Sequence, residues 1–320
     1  MNNNGNPLIS VVVPTYNHAH FLSRALQSVL DQSYTNWEAI VIDNHSDDNT
    51  EEVVEGFRDG RFKLLKINNE GVIAASRNMG IYAAKGEWIA FLDSDDWWYP
   101  GKLEISLHSV QQDKSVTVCS TDELKVNRSR GTSRLLRYGP FCSDFYQTLL
   151  LFGNRLSPSA SLVNREFLVR NSIYFRERKD FATVEDFDFW LLLAQAGAVF
   201  KFVRSIQGEY TIHAANSSNL FEKHQENLKN VLFDHTYNIQ KFEQDKSKLW
   251  RQISAGLLAH SAMNHLTKGS YFLAMRDLSV GLRISITRTS IYLFVKAVKM
   301  IALTSYIKYH SYDRKITKSA

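Results

Sequence analysis

Three carboxylates follow an apolar run in the stretch FLDSDDWWYP, residues 91–100. Asp93, Asp95 and Asp96 repel one another when they are ionised, and a solvated turn rich in Asp and Ser is one explanation of the pattern. A divalent cation is the other explanation, because oxygen donors suit Mg²⁺ or Mn²⁺, and Mg²⁺ commonly combines one or two carboxylates with substrate phosphates. The spacing therefore predicts either a polar turn or a metal site that holds a nucleotide diphosphate.

The acids lie at the end of one of four apolar runs that alternate with helical patterns. The strand-like runs are residues 8–14, stopped by Pro14, 37–43, 62–67 and 87–93, and the helical patterns are residues 21–30, 50–57, begun by a Thr50 cap, and 73–84. Such alternation predicts a parallel sheet covered on both faces, and ligands bind these sheets beyond the carboxyl ends of the strands. The polar clusters PTYN, DNHSDD and DSDD all follow such ends.

The charge is divided unevenly along the chain. The 320 residues carry a net +5, and 44% of them are apolar, enough for one large domain or two. Residues 216–320 hold 16 Lys+Arg against 7 Asp+Glu, a net +9, which leaves 22 against 26, a net −4, for residues 1–215. This division predicts a cation site in the acidic part and an anionic surface partner for the basic part.

Several classes of protein are disfavoured. The turn after the first strand reads PTYNHAHF and lacks the Gly-x-Gly-x-x-Gly of a dinucleotide-binding oxidoreductase. The basic residues are scattered rather than interleaved with aromatics, which disfavours nucleic-acid binding. Two cysteines without ligand spacing indicate a reducing compartment, and the opening MNNNGNP has no signal-peptide pattern, so we expect a cytoplasmic protein.

Several ordered stretches resemble the inverting glycosyltransferases of family 2, of the bacterial cell-surface polysaccharide type. They are ISVVVPTYNHAHFLSRALQSVLDQSY, EAIVIDNHSDDNT, GVIAASRNMGIYAAKGEWIAFLDSDDWWYP, VEDFDFWLLLAQAG and YTIH. The resemblance implies the α/β GT-A fold, with a mostly parallel sheet and a helical C-terminal region. It also implies transfer of a sugar, with inversion, from a nucleotide-diphosphate donor to a glycan or lipid-linked glycan acceptor, assisted by Mg²⁺ or Mn²⁺.

The resemblance also divides the chain. It implies a GT-A catalytic domain over residues 1–215, with a donor-binding half at about 1–96 and an acceptor half at about 97–215, followed by a basic helical region over residues 216–320. The donor-binding residues that it implies are Pro14, Tyr16, Asn17, Asp43, Asn44, Arg77, Asp93, Ser94 and Asp95. Asn44 and His45 stand where relatives carry an acid and a glycine, which leaves the identity of the base open.

Roles of the individual charged residues follow from the same resemblance. Arg77 is implied to approach the nucleotide and phosphate, and the alternative is an arginine that snorkels from an amphipathic helix. Asp93 is implied to contact ribose or the metal shell, and Asp96 to fix the loop. Asp95 and His213 are implied to be metal ligands, although a single histidine is also common as a structural residue.

The implied catalytic base is Asp186, in VEDFDFW, which would deprotonate the acceptor hydroxyl. The alternative is a helix N-terminus capped by Thr183, where carboxylates favour the positive end of the dipole. Glu185 is a candidate for acceptor binding and a weaker candidate for the base, and Asp188 should point elsewhere on the helix. Trp97 and Trp98 are candidates for the floor of the acceptor site, although one of them could belong to the core.

Residues 225–240, 249–266 and 270–283 show helical spacing, and residues 291–307 form an apolar segment that carries Lys296 and Lys299. This last segment is typical either of a helix at a membrane interface, which would make the protein peripheral on the cytoplasmic face, or of a terminal core helix. The other function left open is that of a non-catalytic nucleotide-sugar-binding or scaffold protein on a degenerate GT-A fold.

Overall fold

The computed structural model describes residues 6–213 and 221–286, together with Ile291, Val295 and Val298. The candidate membrane segment 291–307 lies outside the described residues except for those three positions. No helix among the described residues is long and apolar enough to cross a bilayer. By its internal contacts the chain divides into two compact units, Met1–Leu149 with Gly153–Val231, and Leu150–Phe152 with Leu232–Ala320. The domain boundary at residue 215 stays a prediction.

The described strands are numbered in chain order. They are β1 Ile9–Thr15, β2 Trp37–Asp43, β3 Phe62–Lys66, β4 Trp88–Phe91, β5 Trp97–Trp98, β6 Val116–Asn127, β7 Thr132–Leu136, β8 Ser161–Asn164 and β9 Val199–Thr211. They form one sheet in the order β3-β2-β1-β4-β8-β6-β9-β5, with β7 paired to β6. Strands β1 to β4 pair in parallel, as predicted, because β1, β2 and β3 are each followed by a helix that connects to the next parallel strand.

The described helices are α1 Ala19–Leu30, α2 Thr50–Gly56, α3 Ile73–Ala83, α4 Lys102–Gln111, α5 Phe145–Phe152, α6 Arg165–Asn171, α7 Glu185–Gln195, α8 Phe221–Asp234, α9 Lys246–Thr267 and α10 Tyr271–Ile284. The sheet and α1 enclose a continuous core that includes Val11, Leu26, Val41 and Ala90, all fully buried. This core supplies the main driving force for folding of the first unit, since burial of apolar surface contributes about 25 cal/mol per Å².

Two local predictions are wrong. Pro14 does not stop β1, because it is buried within the strand opposite Ile42 and the strand continues to Thr15. Thr50 is the first residue of α2 rather than its cap, and its hydroxyl donates to Asp48 Oδ1 at 2.5 Å. The same Asp48 accepts the backbone N–H of Ala19 at 2.9 Å, so one side chain fixes the start of α1 beside the start of α2.

The second half of the sheet is mixed. Strand β8 pairs antiparallel with both β4 and β6, and β5 pairs antiparallel with β9. Strand β9 runs parallel to β6, with irregular register between Thr121 and Leu124. These pairings bring the acid loop after β4, the start of α7 and the end of β9 to one edge of the sheet.

Candidate active site

The loops after β1 and β2 are tied together by side-chain hydrogen bonds. The backbone N–H of Asn17 donates to Ser46 Oγ at 2.8 Å, and Asn17 Oδ1 accepts the backbone N–H of Asp47 at 2.8 Å. Asp43, which is buried, accepts from Ser46 Oγ at 2.6 Å. Tyr16 is 52% exposed beside this junction, so its ring is open to a ligand while its neighbours are fixed.

Asn44 extends the same junction towards α3. Its Oδ1 accepts the backbone N–H of Asn69 at 2.8 Å. The carbonyl oxygen is therefore already engaged by the chain, and the amide is a poorer acceptor for a base N–H than the acid that it replaces. Pro14 is buried within β1, and its role as a donor contact stays a prediction.

Ser159 holds both ends of the acid loop. Its hydroxyl donates to Asp96 Oδ2 at 2.6 Å and accepts the backbone N–H of Asp93 at 3.1 Å. Asp96 Oδ1 accepts the backbone N–H of Thr211 at 2.9 Å, which joins the loop to β9. Burial, together with repulsion from Asp95, raises the pKa of Asp96 well above its ordinary value. Asp96 fixes the loop, as predicted from the sequence.

Asp95 and His213 meet at the centre of this loop. Asp95 Oδ2 lies 2.8 Å from His213 Nε2, and both side chains are about one-sixth exposed, at 16% and 15%. Burial and the charge of Asp93 raise the pKa of Asp95, while His213 opposes the shift. Ser94, beside it, is buried with its hydroxyl 3.0 Å from His18 Nδ1, and burial lowers the pKa of His18. The structure brings Asp95 and His213 together, as the resemblance implies.

Arg77 is the central cation of the site. It is 3% exposed, and its guanidinium donates to Glu185 Oε1 at 2.6 Å and to Asp93 Oδ1 at 2.8 Å. The alternative of an arginine that snorkels from α3 is therefore wrong. The charges of Asp93 and Glu185 raise the pKa of Arg77 against the effect of burial, so it stays a cation. Glu185 Oε2 is buried without a hydrogen-bond partner in the described part of the chain.

Asp186 lies in the first turn of α7 and is only half-buried. Its Oδ2 accepts from Asn154 Nδ2 at 3.1 Å. Burial and the neighbouring Glu185 raise the pKa of Asp186 to about 7, although Arg77 opposes the shift. A carboxylate with this pKa can take a proton near neutral pH, because it is both partly ionised and basic enough to hold the proton.

The helix-cap alternative is wrong about Thr183 as the cap, whereas the acids Glu185 and Asp186 do lie in the first turn of α7, where that alternative expects carboxylates. Val184 is the N-cap residue of α7 and makes no side-chain cap, while the Thr183 hydroxyl lies 3.2 Å from His224 Nδ1. Asp188 points elsewhere, as predicted, and forms a buried ion pair with Arg176 through Arg176 Nε at 2.8 Å. Glu185 and Asp186 therefore face the site, and Asp188 serves the packing of α7.

The two tryptophans after the acids have different surroundings. Trp98 is 1% exposed within the core, with its Nε1 donating to the Ser159 carbonyl at 2.7 Å. Trp98 is therefore the tryptophan of the pair that belongs to the core, and its role as an acceptor contact stays a prediction. Trp97 is half-buried on the opposite face of β5, and the Arg24 guanidinium lies 4.1 Å from the centre of its ring.

Sequence reasoning missed two polar residues that position this site. Ser159 and Asn154 lie in the segment GNRLSPSA before β8, where no strand end or helical period marks them. The Ser-Pro-Ser turn ahead of a β-branched run is the one local signal that could have drawn attention to Ser159. Their importance comes from antiparallel pairing of β8 with β4 and β6, which the sequence does not reveal.

Comparison with known proteins decides the family. The model of glycosyl transferase family 2 matches residues 10–170, half of the chain, which include the acid loop, Arg77 and Ser159. The chain belongs to glycosyl transferase family 2. The match ends before α7, so it covers the donor side of the site and not Asp186 or His213.

Among curated relatives of this transferase, two Escherichia coli proteins are described as UDP-Glc:alpha-D-GlcNAc-diphosphoundecaprenol beta-1,3-glucosyltransferases. WfgD is 45% identical over 100 residues, 31% of this chain and 40% of WfgD, and WfaP is 26% identical over 217 residues, 68% of this chain and 82% of WfaP. The putative teichuronic acid biosynthesis glycosyltransferase TuaG of Bacillus subtilis is 36% identical over 111 residues, 34% of this chain and 44% of TuaG. The match with WfgD and TuaG thus spans less than half of either relative.

Solved structures bear out the GT-A fold. TarS residues 1–349 of S. aureus, in complex with UDP-GlcNAc, superpose with a TM-score of 0.65 at 19% identity, over 91% of this chain and 88% of that one. The mannosyltransferase PcManGT of Pyrobaculum calidifontis, in complex with GDP-Man and Mn²⁺, gives a TM-score of 0.60 at 18% identity, over 97% of this chain and 84% of that one. The predicted fold class is confirmed.

The donor set fits a divalent cation that is completed by substrate. Within the described ranges, no group of three or more His, Cys, Asp and Glu side chains is arranged to hold a metal ion. Asp95 and His213 nevertheless supply one oxygen and one nitrogen at the strand edge, 2.8 Å apart. Mg²⁺ and Mn²⁺ accept so few protein ligands when phosphate oxygens and water fill the remaining positions.

Proposed function

We propose that this transferase moves a sugar, with inversion and with the help of a divalent cation, from a UDP-sugar to a lipid-linked glycan. The observation that carries the proposal is the junction of two acid clusters through Arg77, which bonds to Asp93 on one side and to Glu185 on the other. Asp186, next to Glu185, has a pKa raised to about 7. The junction thus sets a basic carboxylate beside a candidate diphosphate site.

The donor site is proposed at the linked loops after β1 and β2. Tyr16 would stack on or pack against the base and ribose, and Asp43 and Asn17 would keep the loop in shape through their bonds to Ser46 and Asp47. UDP-Glc appears in the names of WfgD and WfaP, and UDP-GlcNAc is bound in TarS, which supports a uridine donor. Asn44 would contact the uracil ring as an amide donor, since its oxygen is engaged by Asn69.

Asp95 and His213 would hold the cation, with Mg²⁺ and Mn²⁺ as the candidates. The bound cation would neutralise the charge that develops on the leaving diphosphate. Asp93 and Ser94 would support this site, Asp93 through its bond to Arg77 and Ser94 through its contact with His18. PcManGT binds Mn²⁺ together with GDP-Man, which supports metal use by this fold.

Asp186 would remove the proton from the acceptor hydroxyl as that oxygen attacks the anomeric carbon from the face opposite the leaving group. Attack from that face inverts the configuration in one displacement. Asn154 donates to Asp186 Oδ2, and the carboxylate also has a backbone hydrogen bond from Phe187, so both contacts would orient it towards the acceptor hydroxyl. The unpaired Glu185 Oε2 would accept a second acceptor hydroxyl and so orient the ring.

The acceptor is proposed to be a sugar linked through diphosphate to a polyprenol, because WfgD and WfaP are named for such an acceptor. Of the two tryptophans, Trp97 is proposed to line the acceptor site, because it is half-buried while Trp98 is in the core. The Arg24 guanidinium lies 4.1 Å from the centre of the Trp97 ring and would have to move aside for a sugar to pack on that face. A lipid-linked acceptor also requires the enzyme to work at a membrane surface. The alternative, a scaffold on a degenerate fold, predicts donor binding without any turnover.

A screen of nucleotide sugars with and without α-D-GlcNAc-diphosphate-lipid tests this function. We expect UDP release that needs Mg²⁺ or Mn²⁺ and rises when the acceptor is added, and a β-linked product from an α-linked donor. An α-linked product would contradict inversion, and activity that is unchanged by chelators would contradict the metal. Donor binding without release of UDP under any condition would favour the scaffold.

A further inference from the structure

The β6–β7 hairpin, residues 124–143, is strongly basic within an acidic part of the chain. Residues 124–143 carry five basic residues and no acidic ones, while residues 1–215 as a whole carry a net −4. Glu123, which pairs with Leu136 at the open end of the hairpin, is a buried acid. The basic residues are Lys125, Arg128, Arg130, Arg134 and Arg137. Strand β7 is paired only with β6, and four of its five residues are exposed.

Most of these charges lack a counterion in the described part of the chain. Arg128 is paired with Glu209 at 2.8 Å, whereas Arg130, Arg134 and Arg137 are exposed and make no ion pair there. Lys125 lies over the Tyr210 ring at 5.2 Å instead of beside an acid. The positive charge of the hairpin is therefore directed to the outside of the molecule.

The strand register places like charges face to face. Lys125 is the direct partner of Arg134 across β6 and β7. Like charges at such positions destabilise a sheet, and burial together with Arg134 lowers the pKa of Lys125. The repulsion between Lys125 and Arg134 in the free protein is reduced when an anion lies against the two side chains.

The hairpin is also held in a fixed shape. Asn127 Oδ1 accepts the backbone N–H of Arg130 at 3.0 Å and the Ser129 hydroxyl at 2.8 Å, and Gly131 adopts a φ of 60° in the turn. Leu135 and Phe141 add apolar surface, at 36% and 38% exposure. A preformed basic surface with flanking apolar groups suits the interface of a bilayer with anionic headgroups.

We propose that the β6–β7 hairpin is a docking surface for an anionic lipid membrane. The choice of a membrane as the occupant rests on the proposed function, because a polyprenol-linked acceptor lies in a bilayer and charge complementarity demands phosphate headgroups. Arg128 links the hairpin to the site: its partner Glu209 also binds Arg24 at 3.1 Å, and Arg24 covers Trp97. Docking there brings the membrane to the acceptor side of the site.

An ordinary explanation for charges on an edge strand is protection against edge-to-edge aggregation. That explanation accounts for one or two charges but gives no reason for a cross-strand pair of like charges. It also predicts no attraction to lipid. Vesicle binding therefore separates the two explanations.

The test compares two triple variants of the full chain that lose the same charge. The hairpin variant is Arg130→Gln, Arg134→Gln and Arg137→Gln, and the control variant is Arg58→Gln, Lys85→Gln and Lys114→Gln, three exposed residues without ion pairs in the described ranges. Sedimentation with vesicles containing about a third phosphatidylglycerol measures binding, with phosphatidylcholine vesicles as the neutral reference. Each basic residue near an anionic surface contributes roughly a fivefold factor to affinity.

At about 0.1 M salt we expect the hairpin variant to bind anionic vesicles roughly a hundredfold more weakly than wild type, and the control variant to stay within about twofold. UDP binding should be equal in all three proteins. Equal vesicle binding by both variants, or equal binding of wild type to neutral vesicles, would overturn the proposal. Release by pyrophosphate beyond that caused by NaCl of matched ionic strength would mean a discrete phosphate site and would also overturn it.

The outcomes separate this proposal from the proposed activity, because vesicle binding requires no sugar transfer. A protein that docks through the hairpin but transfers no sugar contradicts the transferase function alone. A protein that transfers sugar to a soluble acceptor and ignores anionic vesicles contradicts the docking surface alone.

Discussion

The two acid clusters of the site are alike in composition and different in setting. Residues 93–96 place three aspartates in a loop, and residues 185–188 place three acids in the first turn of α7. The loop is held by Ser159 and by backbone N–H groups, with His213 against Asp95. In the helix cluster each acid has a different partner: Glu185 bonds to Arg77, Asp188 to Arg176 and Asp186 to Asn154.

This difference assigns the two clusters to different chemistry. In the loop, Asp95 lies beside His213 near the end of β4, and this position suits binding of a cation and a phosphate. In the helix, Asp186 is the acid whose contact is a neutral amide, and its pKa is raised to about 7. We therefore propose that the same residue type acts as a metal ligand in the loop and as a base in the helix, because its partners differ.

The loss of Asp95 should have the largest effect. Asp95→Ala removes a ligand of the proposed cation, so we expect transfer to fall by roughly 10²–10³ and the metal concentration for half-maximal rate to rise. Asp144→Ala, at an exposed position without a side-chain cap bond, is the control and should act like wild type. Wild-type rates in Asp95→Ala at low metal would refute the metal site in the loop.

The next largest effect is expected in the pH dependence of kcat/KM, which tests the helix cluster apart from the loop cluster. The Asp186 carboxylate works as a base only when it is ionised, so with a pKa of about 7 we expect kcat/KM to fall about tenfold from pH 8 to pH 6. UDP binding, which we propose involves the loop cluster rather than Asp186, should change less over this range. A rate that is flat down to about pH 5 would mean that Asp186 has an ordinary pKa and is a poor candidate for the base.

The loss of Ser159 should have a smaller effect, confined to the loop. Ser159→Ala removes the hydrogen bonds to Asp96 Oδ2 and to the Asp93 N–H, so we expect a loss of about 1–3 kcal/mol of unfolding free energy and weaker metal activation. Ser120→Ala is the matched control, because Ser120 is equally buried but its hydroxyl has no partner in the described part of the chain. Equal stability and equal metal activation in the two variants would show that Ser159 does not position the acids.

The donor half of the fold was predictable because its signals are local. Strands β1 to β4 and helices α1 to α3 follow the apolar periods within a residue or two, and each polar loop follows directly on its strand. The family motifs predicted Arg77, Asp186 and His213 as site residues, which periodicity alone does not indicate. Their roles stay predictions, although the structure brings Asp95 and His213 together and joins Arg77 to both clusters.

The acceptor half was less predictable because its contacts are distant in sequence. Strand β5 has two residues, and Ser159 reaches the acid loop only because β8 pairs with β4. The sequence allowed one of the two tryptophans to belong to the core, since neighbouring residues of a strand face opposite sides, but it did not show that this residue is Trp98. The sequence did not predict that Pro14 is buried within β1, because proline is unusual in a central strand.

The most direct test of the central claim is Asp186→Asn, measured for UDP-sugar binding by calorimetry and for sugar transfer in the same preparation. The amide keeps the size and the contact to Asn154 but removes the base, so we expect donor affinity within about twofold of wild type and transfer reduced by roughly 10²–10⁴. Thermal stability should be kept, whereas Asp188→Asn should lose stability because it removes the negative charge that pairs with Arg176. Parallel losses of donor binding and transfer in Asp186→Asn, with a lowered Tm, would contradict the account and make Asp186 a structural residue of α7.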